Sequence, residues 1–404
     1  PDLAKPDGTP ELKKGQAEFI KSPAAYINER QIQTLAGAGR AKAKAFAAEL
    51  EPEISKTIAA ITAKNRIYAA DIAINHIADG KLHIVDADSG SYLGVIGIGF
   101  TGQIPLSNDK REIFVSTGYL SRGQRGDRAD IVEVWDADTL KFKYEIPISD
   151  KRAMALQYEG LMRSSADGRW LFIQNATPAT SVSVIDMQAK KMVGEVAMPG
   201  CWAIYPVNAD SKRFASLCGD GTIQTVTIDD NGAEAARKTS AKVFDADADA
   251  WFMQGEQVGE DYYFVSFKGN VARVNVAGET ASVAETWPLA SKAEMQKGWR
   301  PGGYQPLAVH GDSNRLYVAM HAGGVEGSHK NPAKQIWAFD TKTKKRIARM
   351  PGHAAISLEP STDGKRLYAI DIEKASIVIF DTIGSKPKVR TVQVGEVPIQ
   401  LEAE

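Results

Sequence analysis

Three groups of residues have the types and spacing that chemistry would need. GIGFTG places Gly97, Gly99 and Gly102 in G-x-G-x-x-G order after the apolar run SYLGVI. Such glycines cradle a pyrophosphate only when a helix opens directly after them, with its N-terminus facing the anion. Here QIPLSNDK follows, with Pro105 and a turn, so the dinucleotide reading lacks its context. The better reading is a crossover between two strands, whose glycines leave Phe100 on a bare, mobile loop. The histidines, His76, His83, His310, His321, His329 and His353, contain no H-x-x-x-H pair. They read as surface or hydrogen-bonded side chains, although separate strands could still gather a metal site. Cys201 opens the run CWAIYPV and Cys218 closes RFASLC. Adjacent antiparallel strands would bring them together as a disulfide, and two buried thiols fit the spacing equally well. Neither G-x-S-x-G nor a P-loop occurs, which removes nucleophile-elbow and nucleotide-hydrolysis chemistry.

The elements that must carry these residues form a repeat. Seven β-rich runs end at the same place on Asp86, Asp136, Asp186, Asp229, Asn275, Asp340 and Asp381, each followed by a turn cluster. A second element, such as DKREIFV, DGRWLFI or DSNRLYV, precedes each and reads as a tight turn feeding a strand. The markers lie 50, 50, 43, 46, 65 and 41 residues apart. Four short antiparallel strands take about 40–50 residues, so residues 61–404 read as an all-β, seven-bladed β-propeller. The long interval carries an insertion, ASKAEMQKGWRPGG, whose first half reads as a short helix. WD and kelch signatures are absent. Residues 1–60 read as an N-terminal arm. Apolar positions at Ile32, Leu35, Ala36, Ala43, Phe46, Ala47 and Leu50 recur at helical spacing until Pro52 ends them. That amphipathic helix has either its own propeller or a partner to pack on.

A repeat architecture also explains how 404 residues form one domain, because each unit packs only on its neighbours. A net charge of −1 gives no footprint for nucleic acid, and no apolar run reaches the roughly 18 residues of a membrane span. The opening PDLAKPDG has no signal-peptide pattern and fits a mature, processed chain as well as a cytosolic one. The residues alone give a scaffold without a visible active site.

Several longer segments resemble a known family. RGDRADIVEVWDADTLKF, LFIQNATPATSVSVID, GCWAIYP with LCGDG, GWRPGGY, and GSHKNPAKQIWAFDTKTKKRIARMPG are similar to the heavy subunit of tryptophan tryptophylquinone amine dehydrogenases. The match looks closer to the aromatic amine dehydrogenase branch than to the methylamine branch. The resemblance implies a periplasmic heterotetramer of two heavy and two light chains that oxidises primary amines to aldehyde and ammonia. The quinone and the catalytic base would sit on the small, disulfide-rich light subunit. Electrons would leave to an azurin- or amicyanin-type blue copper protein. This chain would then hold no cofactor, metal or catalytic residue of its own. Two residue assignments follow from the resemblance: a Cys201–Cys218 disulfide, and Phe100 at the mouth of the substrate channel. A propeller lactonase or related hydrolase, with metal or acid/base groups on the axis, and a purely binding propeller are the competing classes. Copurification of a small cysteine-rich chain with a quinone absorption band separates the first reading from both.

Overall fold

Each repeat builds a pair of strands with almost no exposed surface. RIYAAD (Arg66–Asp71), WLFIQN (Trp170–Asn175) and SVSVID (Ser181–Asp186) are buried at every position. Successive side chains on a strand point to opposite faces, so a strand between two neighbouring sheets must be apolar on both. Strand Glu112–Leu120 shows the consequence: Ile113 and Val115 join one apolar cluster while Phe114 joins the next. Outer strands such as Lys191–Ala197 face water and alternate instead. The acidic markers sit where the strand turns outward. Asp86, Asp136, Asp186 and Asp340 each accept hydrogen bonds from backbone N–H groups two or three residues on. These are Asx turns, which is why the repeat keeps a short acid there.

The computed structural model describes residues 60–404 apart from 155, 156 and 382. The helix expected within residues 1–60 lies outside them. Among the described residues there are six sheets, and the propeller class expected from the repeat is confirmed. The expectation of seven separate blades is corrected. Five sheets of three or four strands stand alone as blades, and the strands of the last two repeats share one eight-stranded sheet. The cause is Arg346–Pro360, a continuous 15-residue strand that pairs with Ala333–Asp340 on one side and Leu367–Asp371 on the other. The three-stranded sheet also has a local reason. Its inner edge is met only by the bridges Gln103↔Ser116 and Leu106↔Ile113, because Pro105 between them has no N–H to give. The helix expected in the insertion is present at Lys292–Gln296, opened by a capping box between Ser291 and Glu294.

Seven apolar clusters lie between successive repeats. Phe172 and Phe214 meet in one, and Val265, Leu316 and Trp337 in another. The cluster containing Ile67, Val85, Ile370 and Ile377 joins the first repeat to the last. There the C-terminal strand Pro398–Ala403 pairs antiparallel with Arg66–Asp71 and completes the first sheet. Arg66 locks this join, donating from Nε and Nη2 to the two Glu404 oxygens at 2.5 Å each. Burial works against its charge, but Glu404 and Asp138 more than offset that and hold its pKa above the ordinary arginine value.

Cys201 and Cys218 face each other across adjacent antiparallel strands and form a disulfide. Both are buried in the cluster around Phe172 and Phe214. The bond closes a loop over a sequence separation of 17, worth about 3 kcal/mol in the chain-entropy account. The double variant Cys201→Ser/Cys218→Ser is therefore expected to lose about 3 kcal/mol in equilibrium urea unfolding. An unchanged midpoint would mean that the bond adds nothing to the fold.

Candidate functional site

Phe100 lies on the crossover that leaves the outer strand Tyr92–Gly99 and enters the next sheet at Gln103. No helix follows the glycines, in keeping with the rejection of a dinucleotide site. The side chain is half-buried and has no place in the apolar cluster between these sheets. It lines a cavity of about 710 Å³ together with Ile77, Tyr119, Leu120, Arg128 and Met154. Ile77, Tyr119 and Met154 are 37%, 40% and 44% exposed, so the lining is an apolar surface open to solvent. The residues come from four neighbouring crossovers and turns. Such a cavity can hold an apolar group or seat an apolar projection of a partner.

The loop is not bare, and that expectation is corrected. Its three successive carbonyls are all held from beneath. Arg152 Nη2 donates to Phe100 O at 2.5 Å, Arg152 Nη1 to Thr101 O at 3.3 Å, and Gln157 Nε2 to Gly102 O at 2.6 Å. A Cβ on Gly102 would stand 2.1 Å from Ile98 O, so glycine is required there by close packing rather than for freedom. Behind Tyr119 sits Glu133, which accepts from the Tyr119 hydroxyl at 2.8 Å and from Trp135 Nε1 at 3.0 Å. Burial pushes the Glu133 carboxyl up, and burial with the nearby Glu133 does the same to the Tyr119 phenol. Arg152, Asp130, Gln157 and Tyr119 were not singled out from the sequence. Asp130 falls inside RGDRADIVEVW, and Arg152 reads there as an ordinary turn cation.

A second constellation occupies the axis. Glu159, Glu256, Glu359 and Glu402 come from four different sheets or their entries and act on one another electrostatically. Arg163 pairs with Glu159, and Lys110 Nζ donates to Ala403 O at 3.3 Å. Burial first, then the other carboxylates, push Glu256 and Glu359 well above the usual range; burial and Glu159 bring Glu402 to about 7. Together these side chains make an acidic shaft in which the Glu256, Glu359 and Glu402 carboxyls are pushed toward the neutral form. The histidines are scattered. His83 Nδ1 shares a hydrogen bond with the Tyr92 hydroxyl at 2.7 Å, and His310 bonds Ser313 and Thr362. His321 is buried, and burial lowers its pKa. Among the described residues no three His, Cys, Asp or Glu side chains are grouped to hold a metal ion. No described helix is long and apolar enough to cross a membrane.

Comparison with known proteins adds what the geometry leaves open. Residues 63–403 match the family model described as methylamine dehydrogenase heavy chain. The chain is 26% identical over 337 residues to the methylamine dehydrogenase heavy chain of Methylobacillus flagellatus, covering 82% of this chain and 83% of that one. It is 25% identical over 358 residues to that of Methylophilus methylotrophus, covering 88% and 87%. Among solved structures it is similar to a 6-phosphogluconolactonase, so described as putative, from Bacteroides uniformis. The TM-score is 0.60 at 12% identity, over 85% of this chain and 100% of that one, a likeness of fold alone.

The axial shaft makes stability depend on pH. A glutamate near 4.3 when unfolded and about 7 when folded binds its proton more tightly in the folded state. Its contribution is complete below the unfolded value and is lost as pH rises through the folded one. Glu402→Gln, neutral throughout, is expected to match the parent near pH 4.5 and to be more stable by up to about 4 kcal/mol at pH 8. Melting curves at the two pH values check this; a variant less stable at pH 8 would show that the charged form is the one the fold prefers.

Proposed function

Because the chain belongs to the methylamine dehydrogenase heavy chain family, we propose that it is the large subunit of a periplasmic quinoprotein amine dehydrogenase. It scaffolds a light subunit that carries the tryptophan tryptophylquinone, in an assembly of two heavy and two light chains. The family match over residues 63–403 is the observation that carries this reading. The quinone supplies an electrophilic carbonyl and takes up the amine's electrons, which pass to an azurin- or amicyanin-type copper protein. The substrate is a primary amine, and an aromatic one by the resemblance of the sequence segments.

The residues of this chain fit a covering role toward such a group. Phe100, Ile77, Tyr119 and Met154 offer an apolar wall, and Arg128 is the one charged side chain in the lining. An apolar wall accommodates the hydrocarbon part of an amine and excludes water from it. Phe100 is read as the part of the channel mouth that this chain supplies. It limits bulk by contact, while proton transfer stays with the partner. The scaffold is read as seven blades, the eight-stranded sheet counting as two. Seven inter-repeat clusters support that count, as do the positive φ of 47° at both His353 and Ala354, within the shared strand.

Purification from the native host should yield a small cysteine-rich chain with a quinone absorption band, and the heavy chain alone should not turn over an amine with an artificial acceptor. Turnover by the heavy chain alone would overturn the division of labour. In the assembled enzyme Phe100→Ala should change the ratio of kcat/KM for a bulky and a small amine by roughly tenfold or more, since one pocket methylene discriminates by about 1–3 kcal/mol. A large fall in Tm with an unchanged ratio would make Phe100 a packing residue instead.

A further inference from the structure

We infer that the buried pair Arg152–Asp130 is a positioning device that fixes where Phe100 stands in the cavity, and so sets the size of amine admitted. This rests on the reading of Phe100 as part of the channel mouth. Arg152 has a fully buried side chain, and a buried guanidinium is expensive unless a counter-charge and acceptors surround it. Asp130, buried too, provides the counter-charge at 3.9 Å from Arg152 Nε. The acceptors are the carbonyls of Phe100 and Thr101 and not part of any strand ladder. Bonds from a charged donor are stronger and more directional than neutral ones. Burial, its main influence, brings Arg152 down to about 10, so the donors remain protonated at neutral pH.

Three further details give the pair its purpose. The loop it holds has φ of 44° at Thr101, a conformation that a β-branched residue keeps only when the surroundings impose it, and φ of 56° at Gly99, where glycine meets no such cost. Fixing the carbonyls of residues 100 and 101 fixes the peptide planes on both sides of Thr101 Cα, and the first of these borders Phe100 Cα, so it constrains the direction in which the ring leaves the backbone. Gly118, opposite Asp130 in the strand pair, makes room for the arrangement: a Cβ there would lie 2.5 Å from Asp130 Oδ1 and 3.5 Å from Arg152 Nη2. Arg128 then binds Asp130 from the cavity side, Nε to Oδ1 at 2.8 Å and Nη2 to Oδ2, so the clamp reaches the cavity wall at a second point. Arg152 touches neither cavity nor substrate in this arrangement; it acts through Phe100.

The test uses the full heavy chain assembled with its light subunit, with methylamine and 2-phenylethylamine as probes. Arg152→Gln should shift the ratio of kcat/KM for the two amines by roughly tenfold in the parent. It should not shift the ratio further in the Phe100→Ala background, and Arg152→Lys should restore part of the parent ratio. An unchanged ratio in the parent, or the same shift in both backgrounds, would overturn the inference, because the effect would then not pass through Phe100. Amide hydrogen exchange of the heavy chain decides the clamp independently of activity. Peptides covering residues 98–103 should exchange at least tenfold faster in Arg152→Gln, and unchanged exchange overturns it. If Phe100→Ala leaves the ratio untouched while exchange accelerates, the channel reading fails and the clamp stands as a device of the loop alone. Should Arg152→Gln not fold, Arg152→Lys, which keeps the charge but cannot reach both carbonyls with a planar fork, carries the same exchange test.

Discussion

Everything in this propeller depends on the pairing of its last strand with its first. Pro398–Ala403 lies along Arg66–Asp71, and the first and last strands of the ring are then tied by Arg66 and Glu404. A ring of sheets leaves no end face bare only when it is closed, and closure is what lets every inter-repeat cluster be covered on both sides. Asp71 strengthens the same join from inside. It accepts from the backbone N–H groups of Ala73, Glu396 and Val397, so one buried carboxylate fastens the turn of the first sheet to the approach of the last strand. Burial pushes the Asp71 carboxyl up, but the contact with His83 and these backbone bonds outweigh it and lower its pKa.

Closure also explains the polar character of the centre. Inner strands from different sheets converge there, and their edges cannot be satisfied by ladder partners alone. Glutamines supply the missing bonds. Gln254 exchanges two with Leu307, Gln305 two with Leu401, and Gln400 reaches Ile104 O at 2.7 Å. A neutral amide gives and takes a hydrogen bond in one place, which suits joining two backbones. The glutamates among them carry charge that the shaft accommodates poorly, and this is why their carboxyls are pushed toward the neutral form. None of these glutamates lines the cavity beside Phe100, which is built on crossovers and turns.

The repeat was legible because it is written in local chemistry. Asp136 or Asp186 must accept from the next turn's N–H groups wherever a strand ends that way, and Ser291 with Glu294 caps a helix whatever surrounds it. The cysteine pair was half-legible: strand adjacency made it geometrically open, and family resemblance was needed to choose it. What escaped was non-local. Arg152 lies in SDKRAM, a segment that reads as solvated turn, and only the folded crossover brings Phe100 and Thr101 over it. The glycines around Phe100 pointed to freedom, whereas Gly102 serves a contact too close for any side chain. The merging of the last two repeats was equally hidden. A composition of Arg346–Pro360 that includes Pro351 and Gly352 gives no sign of a continuous strand, which exists because both neighbours pair with it.

That shared strand has a consequence for how such a chain changes over evolutionary time. Repeat proteins gain and lose modules by duplication and deletion, and the clean cut points are the connections between independently paired units. Several joins in this ring are of that kind. Between the last two repeats the room for such a cut is narrow: the strand pairs with Ala333–Asp340 up to Pro351 and with Leu367–Asp371 from Ala355, which meets both, so a module boundary there is confined to the residues from Gly352 to Ala354.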